Sequence, residues 1–183
     1  MPQRIKTKPR EADFYDICKE CPDGCCTGVR PPLTLERQQK IREYVKTMGI
    51  GLENLFENGK YVFPRETDGG RCIFLDEFTK RCRIHPVKPE TCVAGPITFD
   101  VNTETGKIEW FLKTDKICQL AAPLYKNRAE YLKHIRSAKR EILRLLHGLD
   151  ADALRAVLAV EESDTVKVDE DEVPSRVLAK LKS

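Results

Sequence analysis

The sequence predicts an α+β fold: a small cysteine-rich core carrying two β-hairpins, flanked by an N-terminal helix and a long C-terminal helix. Three observations predict it. Cys18, Cys21, Cys25 and Cys26 crowd into one short turn-rich segment, and Cys72, Cys82, Cys92 and Cys118 follow singly. Between Tyr61 and Lys113, short runs rich in β-branched and aromatic residues alternate with Gly, Asp and Pro clusters, the pattern of strands joined by turns. Beyond Cys118, apolar residues recur at helical spacing over a long stretch.

Each element has its own signal. Pro22, Gly24 and Gly28 mark turns in the first cysteine segment, which Pro31-Pro32 closes. Thr34 is placed as N-cap of a helix from Leu35 to about Met48, with Gly49 as its stop and Ile41, Tyr44, Val45 and Met48 on one face. A short helical stretch is expected from Leu52 to Glu57. Tyr61-Val62-Phe63 reads as a strand ending at Pro64. Arg71–Asp76 and Arg81–Ile84, joined by a turn near Glu77–Lys80, form the first expected hairpin, with a cysteine on each arm. Ile97–Val101 and Lys107–Leu112 form the second, about Asn102–Gly106. A long helix follows, with Ala129, Leu132, Ile135, Ala138, Ile142, Leu145 and Leu146 on one stripe and Gly148 at its end. Asp150 caps a shorter helix, Ala151 to Val160. The domain layout predicted is a basic arm over residues 1–13, a cysteine-cluster metal-binding domain with its C-terminal helices over 14–160, and an acidic linker with a short terminal helix over 161–183.

Composition excludes several classes of function. Charged residues make up 33% and hydrophobic ones 40% of 183 residues, an ordinary globular balance. A net charge of +3 lacks the basic asymmetry of a nucleic-acid binder, so no nucleic-acid partner is expected. No apolar run suits a secretory signal or a membrane span, which predicts a cytoplasmic protein with no membrane partner. In that reducing setting, clustered cysteines serve metal ligation or redox chemistry more often than structural disulfides. Phosphate loops, dinucleotide fingerprints, zinc-protease helices and nucleophile elbows are missing from the sequence, and no catalytic residue stands out.

The chemistry therefore rests on the thiols. A Cys-x-x-Cys step spaces two sulfurs for one ion. Side chains of adjacent residues in an extended segment point to opposite faces, so Cys25 and Cys26 are expected to serve different edges of a cluster or different ions. All eight cysteines are candidate metal ligands. Cys18-x2-Cys21-x3-Cys25 is close to ferredoxin-type spacing, whereas zinc sites more often use paired knuckles and only one is present. An iron–sulfur cluster, of the 4Fe-4S type, is the first expectation, and Zn2+ the alternative. Arg71, Arg81 and Arg83 are expected to offset thiolate charge. His85 is expected to pack or hydrogen-bond at its turn, with a ligand or base role the second reading. His134 and His147 are placed at the surface of the long helix, whose basic residues are expected to form a solvated face. Trp110 and Phe111 are assigned to the core.

The segments Cys18-x2-Cys21-x3-Cys25-Cys26, Gly70-Arg71-Cys72-Ile73-Phe74-Leu75, Cys82-Arg83-Ile84-His85-Pro86 and Lys88-Pro89-Glu90-Thr91-Cys92 together resemble the CxxCxxCC, or YkgJ-type, cysteine cluster family. The resemblance runs from about Cys18 to Pro96, with Cys118 as a further member, and implies zinc or iron chelation. Three residues rather than two separate Cys21 from Cys25. His85 stands where an aromatic residue is usual, and Lys88 where Arg is usual. The family includes flagellin lysine N-methylases, but no methylase-specific region is matched.

The function expected is a metal-binding protein holding one or more iron–sulfur clusters through cysteine thiolates, in a redox role or as accessory to a larger enzyme or redox partner. Two alternatives stand beside it. One is a zinc-stabilised binding module; the other, implied by the resemblance alone, is a metal-dependent methyl- or group-transfer enzyme.

Overall fold

The structure is a computed structural model that describes Ile17, Cys18, Cys21 and residues 25–182. The basic arm expected at 1–13 lies outside the described residues. Helix α1 spans Leu35–Thr47, and Thr34 caps it: its backbone is extended and its hydroxyl accepts from the Arg37 amide at 3.1 Å. The cap satisfies one of the donors that a helix start leaves open. Gly49, at φ +61°, takes the left-handed conformation that ends the helix. The buried face of α1 carries Ile41 and Val45, which pack with Leu33, Ile73, Phe74 and Ile84 in a small hydrophobic core.

The helix expected over Leu52–Glu57 is instead loop and strand. Phe56–Asn58 (β1) pairs antiparallel with Val62–Pro64 (β2). A single isolated turn of helix fixes many dihedrals for few hydrogen bonds, and here strand pairing wins. The hairpin expected over Arg71–Ile84 is likewise reduced. It has one antiparallel bridge, Leu75 to Cys82, with the Asp76 amide donating to the Arg81 carbonyl and the Arg83 amide to that of Phe74. Consecutive residues Ile73 and Phe74 are both buried. A regular strand would turn one of them outward, so the backbone turns to bury both.

The second hairpin forms as expected. Ile97–Asn102 (β3) pairs with Lys107–Lys113 (β4), and the Asn102 side chain accepts from the Glu104 and Thr105 amides in the turn. Ile108, Trp110 and Leu112 alternate inward along β4. The acidic segment expected to be a linker contributes a third strand, Thr165–Glu172 (β5), on the other side of β4. Its acidic side chains face solvent on a sheet edge, so the segment carries little of the apolar alternation that marks a strand. Lys107 pairs with Glu172, Lys167 with Glu109, and the Trp110 indole N–H donates to Asp171 at 2.7 Å.

Further helices among the described residues are α2 (Glu90–Ala94), α3 (Ala121–Lys126), α4 (Arg128–Gly148), α5 (Ala151–Leu158) and α6 (Ser175–Lys182), with a 3-10 turn at His85–Val87. Asp150 caps α5 through the Ala153 amide. Along α4, Ala129 and Leu132 of the expected stripe are exposed, whereas Tyr131, Ile135, Ala138, Ile142, Leu145 and Leu146 are buried. They pack on β3 and β4 with α3, α5 and α6 to form the larger core.

A buried polar network joins the α1 core to the α4 core. Arg37 lies between Glu90 at 3.4 Å and Glu141, with which it makes a short contact; Arg144 also holds Glu141 at 2.6 Å. The Thr34 hydroxyl donates to Glu90 at 2.7 Å. Burial pushes the Glu90 carboxyl above its ordinary range, against the opposing effects of Thr34 and Arg37. The network anchors α2, the helix that carries Cys92, to both cores.

Candidate metal centre

The four distal cysteines stand on different elements, and three of them share one local geometry. Cys72, Cys82 and Cys118 each begin a tight turn in which the carbonyl of the cysteine accepts from the amide three residues on: Leu75 at 2.9 Å, His85 at 3.2 Å and Ala121 at 3.0 Å. In each turn a backbone amide two residues on, of Phe74, Ile84 and Leu120 respectively, opposes the rise that burial imposes on the thiol. Hydrogen bonds to sulfur favour the thiolate. Phe74 and Ile84 are fully buried and pin two of the turns into the α1 core. Cys72 and Cys82 pack against that core, and Cys118 packs against the larger one. Cys92 lies on α2.

The N-terminal cysteines are carried to these turns by backbone pairing. The Cys26 carbonyl accepts from the Cys72 amide at 2.7 Å, Thr27 bridges Arg71, and the Gly28 amide donates to Gly70 at 2.8 Å. Cys25 is exposed and Cys26 is not, so the vicinal side chains differ in environment.

All eight cysteines are free thiols. Burial raises Cys18 from 9.0 to about 11, and Cys25, Cys118 and Cys21 add to the rise. Burial takes Cys26 to about 12, with Cys72, Cys82 and Cys25 as its thiol neighbours. Cys72 is pushed up to about 11, chiefly by burial. Cys92 rises mainly through burial, with Cys26, Cys72 and Cys82 contributing. Cys82 and Cys118 are also raised, first by burial. Such thiols stay protonated at neutral pH until a cation displaces their protons.

Lys88 is the cation whose charge opposes this rise at Cys18, Cys26, Cys82 and Cys92. Of the arginines expected in that role, Arg71 pairs with Glu77 at 3.1 Å and Arg83 acts on Asp76. The signal for Lys88 is present in the sequence as a basic residue four positions before Cys92. His85 opens the 3-10 turn. His134 is a correction. It is half-buried rather than on the surface, its ring nitrogen is 2.9 Å from the Ala94 carbonyl, and burial lowers its pKa below 6.5. His147 is exposed, and Trp110 is fully buried beneath Lys139.

Among the described residues, no three His, Cys, Asp or Glu side chains already close around an ion-sized point. The donor chemistry nevertheless fits a thiophilic metal, because all eight cysteines are free and supply soft sulfur donors. Cavities of about 370 and 580 Å3 are lined by no cysteine. No helix among the described residues is long and apolar enough to cross a membrane.

A mixed α+β chain presenting a cluster of free thiols defines a cysteine-cluster protein. The chain belongs to the CxxCxxCC family, described as "Putative zinc- or iron-chelating domain", which matches residues 17–119. It is also similar to an uncharacterized protein of Methanocaldococcus jannaschii, 34% identical over 107 residues. That match covers 52% of this chain and 54% of the relative, so the chain spans about half the relative's length. No solved structure matches.

Proposed function

We propose that the protein holds iron–sulfur chemistry through its cysteine thiolates and serves as a redox or accessory component for a larger enzyme or redox partner. The observation that carries this reading is the set of eight free cysteines, with the first cysteine segment bonded at Cys26 to Cys72 and Cys82 bridged to the same arm at Leu75. Amide hydrogen bonds to sulfur and the degree of solvent exposure are the features through which a protein sets the potential of such a cluster. Cys25 is exposed, which would leave one edge of a bound group accessible to an electron-transfer partner. Every candidate ligand is a thiolate, which also suits zinc. Zinc is the alternative, and the family description admits both metals.

Anaerobic purification followed by iron, acid-labile sulfide and zinc analysis tests the proposal. A brown protein containing iron and sulfide supports it. A colourless protein with stoichiometric zinc and no sulfide rejects the iron–sulfur reading in favour of a zinc-stabilised module.

A further inference from the structure

We propose that the cavity between α1 and the β1–β2 hairpin binds a small organic monocarboxylate. Arg42 takes the carboxylate, and the carboxamides of Gln38, Asn54 and Asn58 take the ligand's other polar groups. No cysteine lines this cavity, so the inference does not rest on the metal–thiolate reading.

Three short segments bring the lining residues together. Gln38 and Arg42 stand four residues apart and share one face of α1. Phe56 and Asn58 share one face of β1, and Val62 of β2 is the register partner of Asn58. Asn54 and Leu55 complete the wall. Asn54 sits at φ +50°, a left-handed conformation that asparagine adopts more readily than most residues. Arg65 holds it there: its Nε donates to the Asn54 carbonyl at 2.9 Å, and its amide donates to the Leu55 carbonyl at 3.0 Å.

The chemistry of the wall selects the ligand. The Arg42 guanidinium lies over the Phe56 ring, 4.8 Å from its centroid, and among the described residues no carboxylate is paired with it. Stacking leaves the edge of the guanidinium, where its N–H donors lie, open to a carboxylate. Among the described residues no Asp or Glu lines the cavity. Glu57, between Phe56 and Asn58, belongs to the other face of β1, where its carboxylate accepts from the Glu66 amide at 3.3 Å. One cation without an opposing acid suits a single negative charge. Gln38 is 5% exposed, and its carboxamide donates to the Leu33 carbonyl at 3.4 Å. Each carboxamide offers two donors and an acceptor oxygen, which suits a ligand carrying an amide or hydroxyl beside its carboxylate. Leu55, Phe56 and Val62 supply the apolar side. A volume of about 370 Å3 lies at the small end for ligand pockets and admits a molecule of amino-acid size.

Isotope-labelled full chain, titrated by NMR with acetate, benzoate and N-acetyl-leucine, tests the proposal. N-acetyl-leucine amide and inorganic phosphate serve as comparisons. The carboxylates should give saturable shifts in the side-chain amide signals of Gln38, Asn54 and Asn58, with N-acetyl-leucine binding tightest. Its uncharged amide should bind at least about tenfold more weakly, since a charge-assisted hydrogen bond is lost. Arg42→Gln should weaken N-acetyl-leucine by a similar factor. Asn54→Gly keeps the left-handed backbone while removing one carboxamide, and should weaken binding by less. Both positions are exposed, and the backbone spectrum of each variant checks that the fold is retained. No saturable shift at these residues with any of the three carboxylates would overturn the site. So would equal binding of the acid and its amide, or undiminished binding by Arg42→Gln. Phosphate binding tighter than every carboxylate would overturn the monocarboxylate assignment.

Discussion

The Cys72 amide donates to the Cys26 carbonyl across 2.7 Å, so the N-terminal cysteine segment is bonded directly to the turn that begins at Cys72. Together with the Thr27–Arg71 bridge, this contact fixes where the first thiols meet the distal ones. It also couples ligation to folding, since metal bound across this joint ties together segments far apart in sequence. Hydrogen exchange on loaded and chelated protein should show faster exchange after chelation at residues 26–30 and 70–85. The Ile135–Leu146 portion of α4, buried in the larger core, should be unchanged. Equal exchange in both states would show that the thiols carry no structural metal.

Thiol pKa values give a second expectation. Cys18, Cys26 and Cys72 stand at about 11, 12 and 11 against an ordinary 9.0. Their folded-state values are raised, so the stabilisation is complete below pH 9 and is lost as pH rises through the folded values. Metal-free protein should therefore lose stability between about pH 9 and 12 in denaturant titrations. Metal binding near neutral pH should release protons, measurable as buffer-dependent heat in calorimetry. Heat independent of the buffer would mean the ligands were already ionised.

His134 works in the opposite direction. Its pKa is depressed below 6.5 by burial, so its contribution is present above pH 6.5 and is lost as pH falls through the folded value. Melting temperature should decline on acidification below pH 6.5, and His134→Gln should flatten that part of the curve. An unchanged slope would place the acid sensitivity elsewhere.

Arg37 holds two buried carboxylates, those of Glu90 and Glu141. Removing one member of a buried ion network costs about 3–5 kcal/mol because the partner charge remains desolvated. Arg37→Met should lower stability by that order in urea unfolding, and Glu141→Gln by less, because the amide oxygen can still accept from Arg37. A loss under about 1 kcal/mol for Arg37→Met would show that Glu90 and Glu141 are neutralised or rehydrated without it.

Gly148 closes α4 against the α1 cap. A β-carbon there would lie 2.5 Å from Thr34 Cγ2 and 3.0 Å from its Cβ. Gly148→Ala should displace Thr34, weaken its bonds to the Arg37 amide and to Glu90, and cost roughly 1–3 kcal/mol as overpacking. Thermal unfolding of the single variant checks this; a gain in stability from the better helix former would show that the approach relaxes freely.

The sequence by itself determined whatever local chemistry encodes. Thr34 and Asp150 were legible as caps because a short side-chain oxygen beside an apolar run has one efficient use. The Asn102–Gly106 hairpin and the long helix were legible through turn residues and periodicity. The cysteines were legible as those of the CxxCxxCC family because their order and spacing are specific. Tertiary structure decided the rest. The segment Thr165–Glu172 is strand only because β4 offers it an edge and cations for its acids. Ile73 and Phe74 break the expected strand because both must be buried in the α1 core. Lys88, rather than Arg71 or Arg83, acts on the thiols because chain reversal at His85–Val87 brings it among them. Likewise, Cys26 is bonded to Cys72 and less exposed than Cys25, because long-range backbone pairing sets its surroundings. Sequence spacing specifies which groups can bind; the distance between segments far apart in the chain is fixed only when the two cores pack.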